Sequence, residues 1–315
     1  MPLVVVATAA GGPEVLELVD EPVVRPGPGQ VLLEVRAAGV NPVDIKLYGG
    51  KYGSRPPQFP LRLGSEAAGV VRAVGAGAVG AAGQVSVGDE VIAFRVGGAY
   101  AQMLVVPGSA LVPKPPTLGW EQAAGLMLTG ATAVHALAET GVGPRDTVLV
   151  HAAAGGVGLM VVQLAVLRGA RVIGTASEAN HELLRELGAQ PVTYGEGLVA
   201  RVRALAPDGV DAAIDAAGSD EALDVSLELI PDRARIAELV VTARSAAAGV
   251  KLLGGSPGAD PGTAIRDAAR LELVQLVRDG GLRVLLADTY PLADVADAHR
   301  AILAGHTVGK IVLVP

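Results

Sequence analysis

No cysteine occurs in the 315 residues. The chain therefore forms no disulfide, binds no zinc through thiolate and uses no catalytic thiol. Long runs of Lys and Arg are missing too, and the formal net charge is −7. No broad basic field exists to attract a polyanion, so nucleic acid is excluded as an expected partner. Low-complexity tracts and solenoid repeats are absent. Residues 1–10 are apolar but lack a basic start and a long hydrophobic segment, and Gly12 and Pro13 follow, so no signal peptide is expected. The apolar stretch 67–88 is interrupted by Arg72 and several glycines and ends at Asp89, which argues against a membrane span. A soluble, cytoplasmic protein is the expectation.

What is present is a chain half hydrophobic, with 42 glycines and 21 prolines dispersed through apolar runs. Dispersal of this kind means tight turns between short elements, and the length calls for a core split over two domains. Over 3–112, short Val- and Leu-rich segments such as 31–37 and 67–74 alternate with Pro and Gly turns, and 84–92 reads as a turn followed by a strand. A mostly β domain with barrel-like packing is predicted there. The period changes at Trp120, and the run to Ala138 favours a helix. Beyond it, strands at 147–152, 170–175, 192–194 and 210–216 alternate with helices at 157–168, 178–187, 198–206 and 220–230. Such alternation predicts an α/β fold with a doubly wound parallel sheet. Two further strands, 234–240 and 250–253, precede a helix over 262–279 that begins after Pro261. The segments 282–287, 293–303 and 310–314 then return to the first domain. The expected division is 1–117 with 282–315, and 118–281.

One constellation carries chemistry. The strand ending Val148-Leu149-Val150-His151 runs into Ala152-Ala153-Ala154-Gly155-Gly156-Val157-Gly158 and then into a helix. Glycines here let the backbone approach a pyrophosphate, while the helix start presents unpaired N–H groups and the positive end of its dipole. The second strand of an NAD site normally ends in a carboxylate for the ribose 2′-hydroxyl. Here it ends Gly174-Thr175-Ala176-Ser177, neutral residues that favour NADP(H) over NADH. Glu178, next in sequence, either caps the following helix or turns inward to a ribose.

These residues also resemble a family. The turn Ala152 to Gly158 is similar to that of the quinone oxidoreductase branch of the medium-chain dehydrogenase/reductases. Gly39-Val40-Asn41-Pro42-Val43-Asp44 resembles the family's G-x-N-x-x-D, Gly64-Ser65-Glu66-Ala67-Ala68-Gly69 its G-x-E-x-x-G, and 299–314 its closing segment. The resemblance spans the chain in order. It implies a GroES-like catalytic domain, a Rossmann domain and an active site in the cleft between them, holding NADP(H) without zinc. Asn41 stands where zinc-dependent relatives place a Cys, and Ser65 where they place a His before Glu.

By the same resemblance the cofactor is held by Ala153, Gly155, Gly156, Val157 and Gly158 at the turn, with Thr175 at the end of the second strand. Ser177, His181 and Tyr194 correspond to the 2′-phosphate positions, His181 standing where many relatives carry Lys. Thr129 and Thr132 lie where the family's helix faces the nicotinamide, and either contact it or bond back to their own backbone. Ala217 and Gly218 match the place where the chain passes the ribose and nicotinamide. Asn41, as amide donor, and Tyr52, as phenol donor or proton source, are the implied catalytic residues. Lys46 stands where several relatives have Tyr; it attracts an anionic substrate or is a solvated loop lysine. The implied substrate is a quinone or an α,β-unsaturated carbonyl. Reduction of an enoyl thioester or a polyketide-like aromatic is the enzymatic alternative, and a redox sensor or structural protein with little turnover is the alternative of another class. A homodimer joined through the strand 250–253 is also expected by resemblance.

Overall fold

The computed structural model describes residues 1–50 and 57–315. It divides into two compact units, 1–128 with 270–315, and 129–269. The sequence predicts divisions at 117/118 and 281/282. Each actual division falls inside a continuous helix, Met127–Glu139 or Thr263–Arg278, which motif order alone cannot cut.

The first unit is built on a sheet ordered Leu111–Pro113, Glu90–Phe94, Glu66–Val74, Gln30–Val40, Lys310–Val314, Leu286–Pro291. Met103–Pro107 also pairs with Gln30–Val40. The long strand thus has three partners, and its register against Glu66–Val74 slips at Leu32/Leu33 and Val35/Ala37. Such bulges add the local twist that lets a sheet curl on itself. Val31, Leu33 and Val35 alternate inward and join Val71, Leu104, Ile311 and Leu313 in one buried cluster, the period-2 burial that the sequence displays.

Three local expectations are corrected here. The helix read over 120–138 is two helices, Trp120–Ala124 and Met127–Glu139. They break at Gly125, where a Cβ would stand 3.3 Å from both Cβ and Cγ of Lys310; glycine lets the backbone come this close to the lysine stem. The strand read at 282–287 is displaced to Leu286–Pro291. It is an edge strand, half polar and largely exposed, so an apolar run was the wrong cue. The strand read at 192–194 is Ala189–Val192, which leaves Thr193 and Tyr194 in the loop that follows.

The second unit is a six-stranded parallel sheet ordered Ala189–Val192, Arg171–Thr175, Thr147–His151, Ala212–Asp215, Ile236–Glu238, Lys251–Leu252. Leu149, Ile173, Ala213 and Ile236 form its buried middle and pack with Leu198, Val202, Leu223 and Val225. The central strands are apolar because both faces are covered. At the outer strand, Gly254 N–H donates to Asp260 O and Asp260 N–H to Leu252 O, both at 2.8 Å. The chain itself therefore takes up part of the edge that the sequence reading assigned to a second copy. No helix among the described residues is long and apolar enough to cross a membrane.

Candidate functional site

In the second unit the strand Thr147–His151 is buried beyond its first residue and runs into Ala152, whose φ of 53° is left-handed. Two bonds tie the turn to the neighbouring strand: Ala152 N–H to Thr175 Oγ1 at 3.2 Å, and Ala153 N–H to Thr175 O at 3.0 Å. Gly155 caps the helix Gly156–Leu167, and its own N–H returns to Ala152 O at 3.0 Å. The first N–H groups of this helix, from Gly156, Val157 and Gly158, have no intrahelical acceptor, and Gly155, Gly156 and Val157 are half-exposed. At Gly158 a Cβ would stand 2.2 Å from Ala152 O and 2.8 Å from Ala153 Cα, so only glycine lets the helix sit this tightly on the turn. The cradle fits a diphosphate.

Thr175 is buried at the end of its strand. Ser177 Oγ accepts from Asn180 Nδ2 at 3.1 Å, and His181 Nε2 donates to Ala176 O at 3.3 Å. Glu178 is exposed in the short turn Glu178–Asn180. Tyr194 is 51% exposed. Ala217 and Gly218 are held by Asp215, whose Oδ1 accepts their N–H groups at 2.6 and 3.0 Å. Thr129 and Thr132 are both buried on Met127–Glu139.

Beside these lies a row that the sequence reading passed over. His151, Asp215 and Glu238 are register neighbours at the ends of three adjacent strands, all buried. Asp215 Oδ2 and Glu238 Oε1 find no N–H or hydroxyl donor among the described residues. Burial, and next the Asp215 charge and its hydrogen bond, push the Glu238 carboxyl up, so it carries a proton where an exposed Glu would not. Burial holds the His151 imidazole down, and its Nε2 faces Ser226 Oγ at 3.1 Å. Because Ser226 Oγ donates to Ala222 O at 2.8 Å, it accepts from His151, which fixes the Nε2–H tautomer.

In the first unit Asn41 precedes the helix Pro42–Tyr48, and its N–H is capped by Asp44 Oδ2 at 3.0 Å. Its carboxamide is only 2% exposed and is committed inside the chain. Nδ2 donates to Glu66 Oε1 at 3.1 Å and to Gly39 O at 3.3 Å, while Oδ1 accepts from Lys310 Nζ at 2.5 Å. Both amide hydrogens of Asn41, which the resemblance makes an amide donor, are engaged within the chain. Lys310 Nζ also donates to Val40 O at 2.9 Å and Glu66 Oε1 at 3.0 Å, and Glu66 Oε2 accepts Leu128 N–H at 2.7 Å. A buried ammonium is thus caged by three oxygens.

A second buried chain adjoins it. Tyr100 Oη donates to Asp44 Oδ2 at 2.8 Å, and Tyr48 Oη lies 2.9 Å from His299 Nδ1. Burial raises the Asp44 carboxyl to about 6 against the opposing pull of the Tyr100 hydroxyl and lowers the His299 imidazole to about 4. Lys46, on the same helix, is half-buried; burial lowers its pKa, and no carboxylate pairs with it among the described residues. Tyr52 lies outside the described residues.

The residues missed by sequence reasoning share one signal. Lys310, Asp215 and Glu238 are each a single charge inside an apolar strand-like run, Gly309-Lys310-Ile311-Val312, Ala213-Ile214-Asp215-Ala216 and Ile236-Ala237-Glu238-Leu239. A lone charge in such a run is a buried charge that needs a partner. The one group of potential metal ligands among the described residues, His135, Glu139 and Asp260, already meets Lys251, 2.7 Å from Glu139, and Arg266, 3.3 Å from His135.

Residues 27–116 match a family described as the alcohol dehydrogenase GroES-like domain, and residues 187–313 one described as zinc-binding dehydrogenase. A quinone oxidoreductase of Pseudomonas aeruginosa is 35% identical, over 98% of this chain and 98% of that protein. A mycobacterial protein solved in complex with NADPH superposes with a TM-score of 0.83 at 34% identity, each chain covered in full. A crystal structure of an NAD-dependent alcohol dehydrogenase gives a TM-score of 0.85 at 30% identity, with 99% of each chain covered.

Proposed function

The chain belongs to the quinone oxidoreductase-like medium-chain dehydrogenase/reductases, and on that premise we propose that it carries hydride from NADPH to a quinone or an α,β-unsaturated carbonyl without zinc. The observation that carries this reading is Lys310. The zinc implied by the matched description does not fit the residues present. Cysteine is absent, the resemblance puts Asn41 and Ser65 at the ligand positions, and the oxygens of Asn41 and Glu66 already hold an ammonium at 2.5 and 3.0 Å. A dication there would meet the buried positive charge of Lys310.

A nicotinamide dinucleotide fits the turn at 152–158 and, when bound, supplies the hydride. The N–H groups of 156–158 would hold its diphosphate. Thr175 and Ser177 would offer hydroxyls to the ribose, and no carboxylate stands at the strand end, which supports a 2′-phosphate. With Asn41 committed elsewhere, Lys46 is the described candidate whose donors are unspent. Its ammonium, with pKa lowered by burial, would hold a proton at Nζ for a substrate oxygen that gains negative charge.

The test pairs fluorescence titrations of NADPH and NADH with NADPH oxidation by 9,10-phenanthrenequinone, a cyclic enone and an enoyl thioester, each before and after chelator dialysis. Tighter NADPH binding and chelator-insensitive turnover of the quinone or enone are expected, with kcat down about tenfold in Lys46→Met, within the usual contribution of general acid catalysis. Equal affinity for NADH, or activity that tracks added zinc, refutes the reading. Turnover of the thioester alone would move the substrate class, and binding without turnover would leave a nicotinamide sensor.

A further inference from the structure

Arg201 stands in the first turns of the helix Leu198–Leu205 and spends its guanidinium on the preceding loop. Nε and Nη2 donate to Thr193 O at 3.1 and 2.8 Å. Nη2 also donates to Gly195 O at 2.9 Å, and Nη1 to Glu196 O at 2.7 Å. Three carbonyls on either side of Tyr194 therefore turn toward one cation. A trans peptide is planar, with its N–H opposed to its C=O. The N–H groups of Tyr194 and Glu196 accordingly point away from Arg201, and neither has a hydrogen-bond partner among the described residues. Gly195, at φ +96°, and Gly197, at φ +78°, supply the left-handed backbone that this wrapping needs.

The charge is not cancelled. Among the described residues no carboxylate lies within ion-pair distance of Arg201, and Glu182, on the helix His181–Glu186, is paired with Arg185 at 3.1 Å. The loop also sits where it matters. Val192 is the register partner of Thr175, and Ala176 N–H donates to Val192 O at 3.0 Å, so Tyr194 and Ser177 rise from the same rim of the sheet. At that rim His181 spends Nε2 on Ala176 O.

We propose that Arg201 is a positioning and specificity-determining residue for a phosphate monoester on the adenosine ribose: it fixes the 193–197 loop with Tyr194 and two free N–H groups outward and stands behind them as an uncancelled positive charge. The inference rests on the NADP(H) reading and names where the missing lysine charge at position 181 is supplied. Outward N–H groups backed by a cation form a concavity suited to an anion.

The test measures binding of 2′,5′-ADP and 5′-AMP to the full chain by calorimetry, in the parent and in Arg201→Gln and Arg201→Lys. In Arg201→Gln the affinity for 2′,5′-ADP should fall about tenfold, the loss of one charge-assisted interaction, with 5′-AMP changed less than about twofold; Arg201→Lys should recover part of the loss. Equal weakening of both ligands would make Arg201 a brace for the fold alone, and no weakening of either would leave it without a role; each overturns the inference. A parent chain that does not distinguish the two ligands fails the NADP(H) reading itself, whatever the variants do.

Discussion

Replacing Lys310 by Met keeps the stem that packs against Gly125 and removes only the ammonium. Glu66, 0% exposed, would then keep Asn41 Nδ2 and Leu128 N–H as donors but lose its counter-charge. Breaking a buried pair from one side costs about 3–5 kcal/mol, because the remaining charge stays desolvated. Val40 O and Asn41 Oδ1 lose a donor as well, a smaller penalty that overlaps with the first and is not added to it. Against a typical domain stability of about 5–15 kcal/mol, this is a large fraction of the unit's reserve. Trp120, the single tryptophan, lies in the first unit beneath Lys114, whose Nζ is 4.7 Å from the ring centroid. Its fluorescence in a urea titration therefore reports the unit concerned without assuming that both units unfold together. Adding Glu66→Gln to Lys310→Met should restore part of the loss, since the orphaned charge goes with it. A Lys310→Met chain within about 1 kcal/mol of the parent, or a double variant weaker than the single one, would refute the argument for a caged cation.

Three further outcomes follow from the geometry. Gly158→Ala puts a methyl group 2.2 Å from Ala152 O, against backbone that cannot swing aside, so NADPH titration should show affinity at least about tenfold lower, the equivalent of about 1.4 kcal/mol. Asp44, raised from 3.8 to about 6, keeps a proton in the folded chain that the unfolded chain has already released. Its stabilising contribution is complete below about pH 4 and is lost as pH rises through about 6, a span of up to about 3 kcal/mol at 1.36 kcal/mol per pH unit; Asp44→Asn should flatten that part of the urea-midpoint profile. Glu238, raised in the same direction by burial beside Asp215, should make the second unit less stable toward alkaline pH, and thermal melts of Glu238→Gln should show that decline reduced.

Much of the architecture was open to reading because it rests on period and punctuation. The strand, turn and helix around 147–167 could be placed within a residue or two, since an apolar run, a glycine cluster and a second apolar run have one economical solution. The family's motifs located Asn41 and Glu66 for the same reason. What could not be read was which way a side chain turns. Asn41 faces a lysine 269 positions away, a pairing that no local pattern encodes. Gly125 breaks a helix that propensity alone would continue, because the reason for the break is the stem of that same lysine. Tyr194 leaves its strand because Arg201 draws three loop carbonyls toward itself, again a tertiary event overriding a local preference.

The cage around Lys310 has a consequence for the order in which the molecule is made. Strands 30–40 and 66–74 are synthesised well before residues 286–314, and the whole second unit comes between them. Until the late strand arrives, Glu66 is a carboxylate destined for an apolar interior with no counter-ion to take there, and the early half of the sheet lacks its inner neighbour. A ribosome-bound chain can therefore complete the later-encoded nucleotide fold first, while the earlier-encoded sheet still lacks the strand whose amino group neutralises its buried carboxylate.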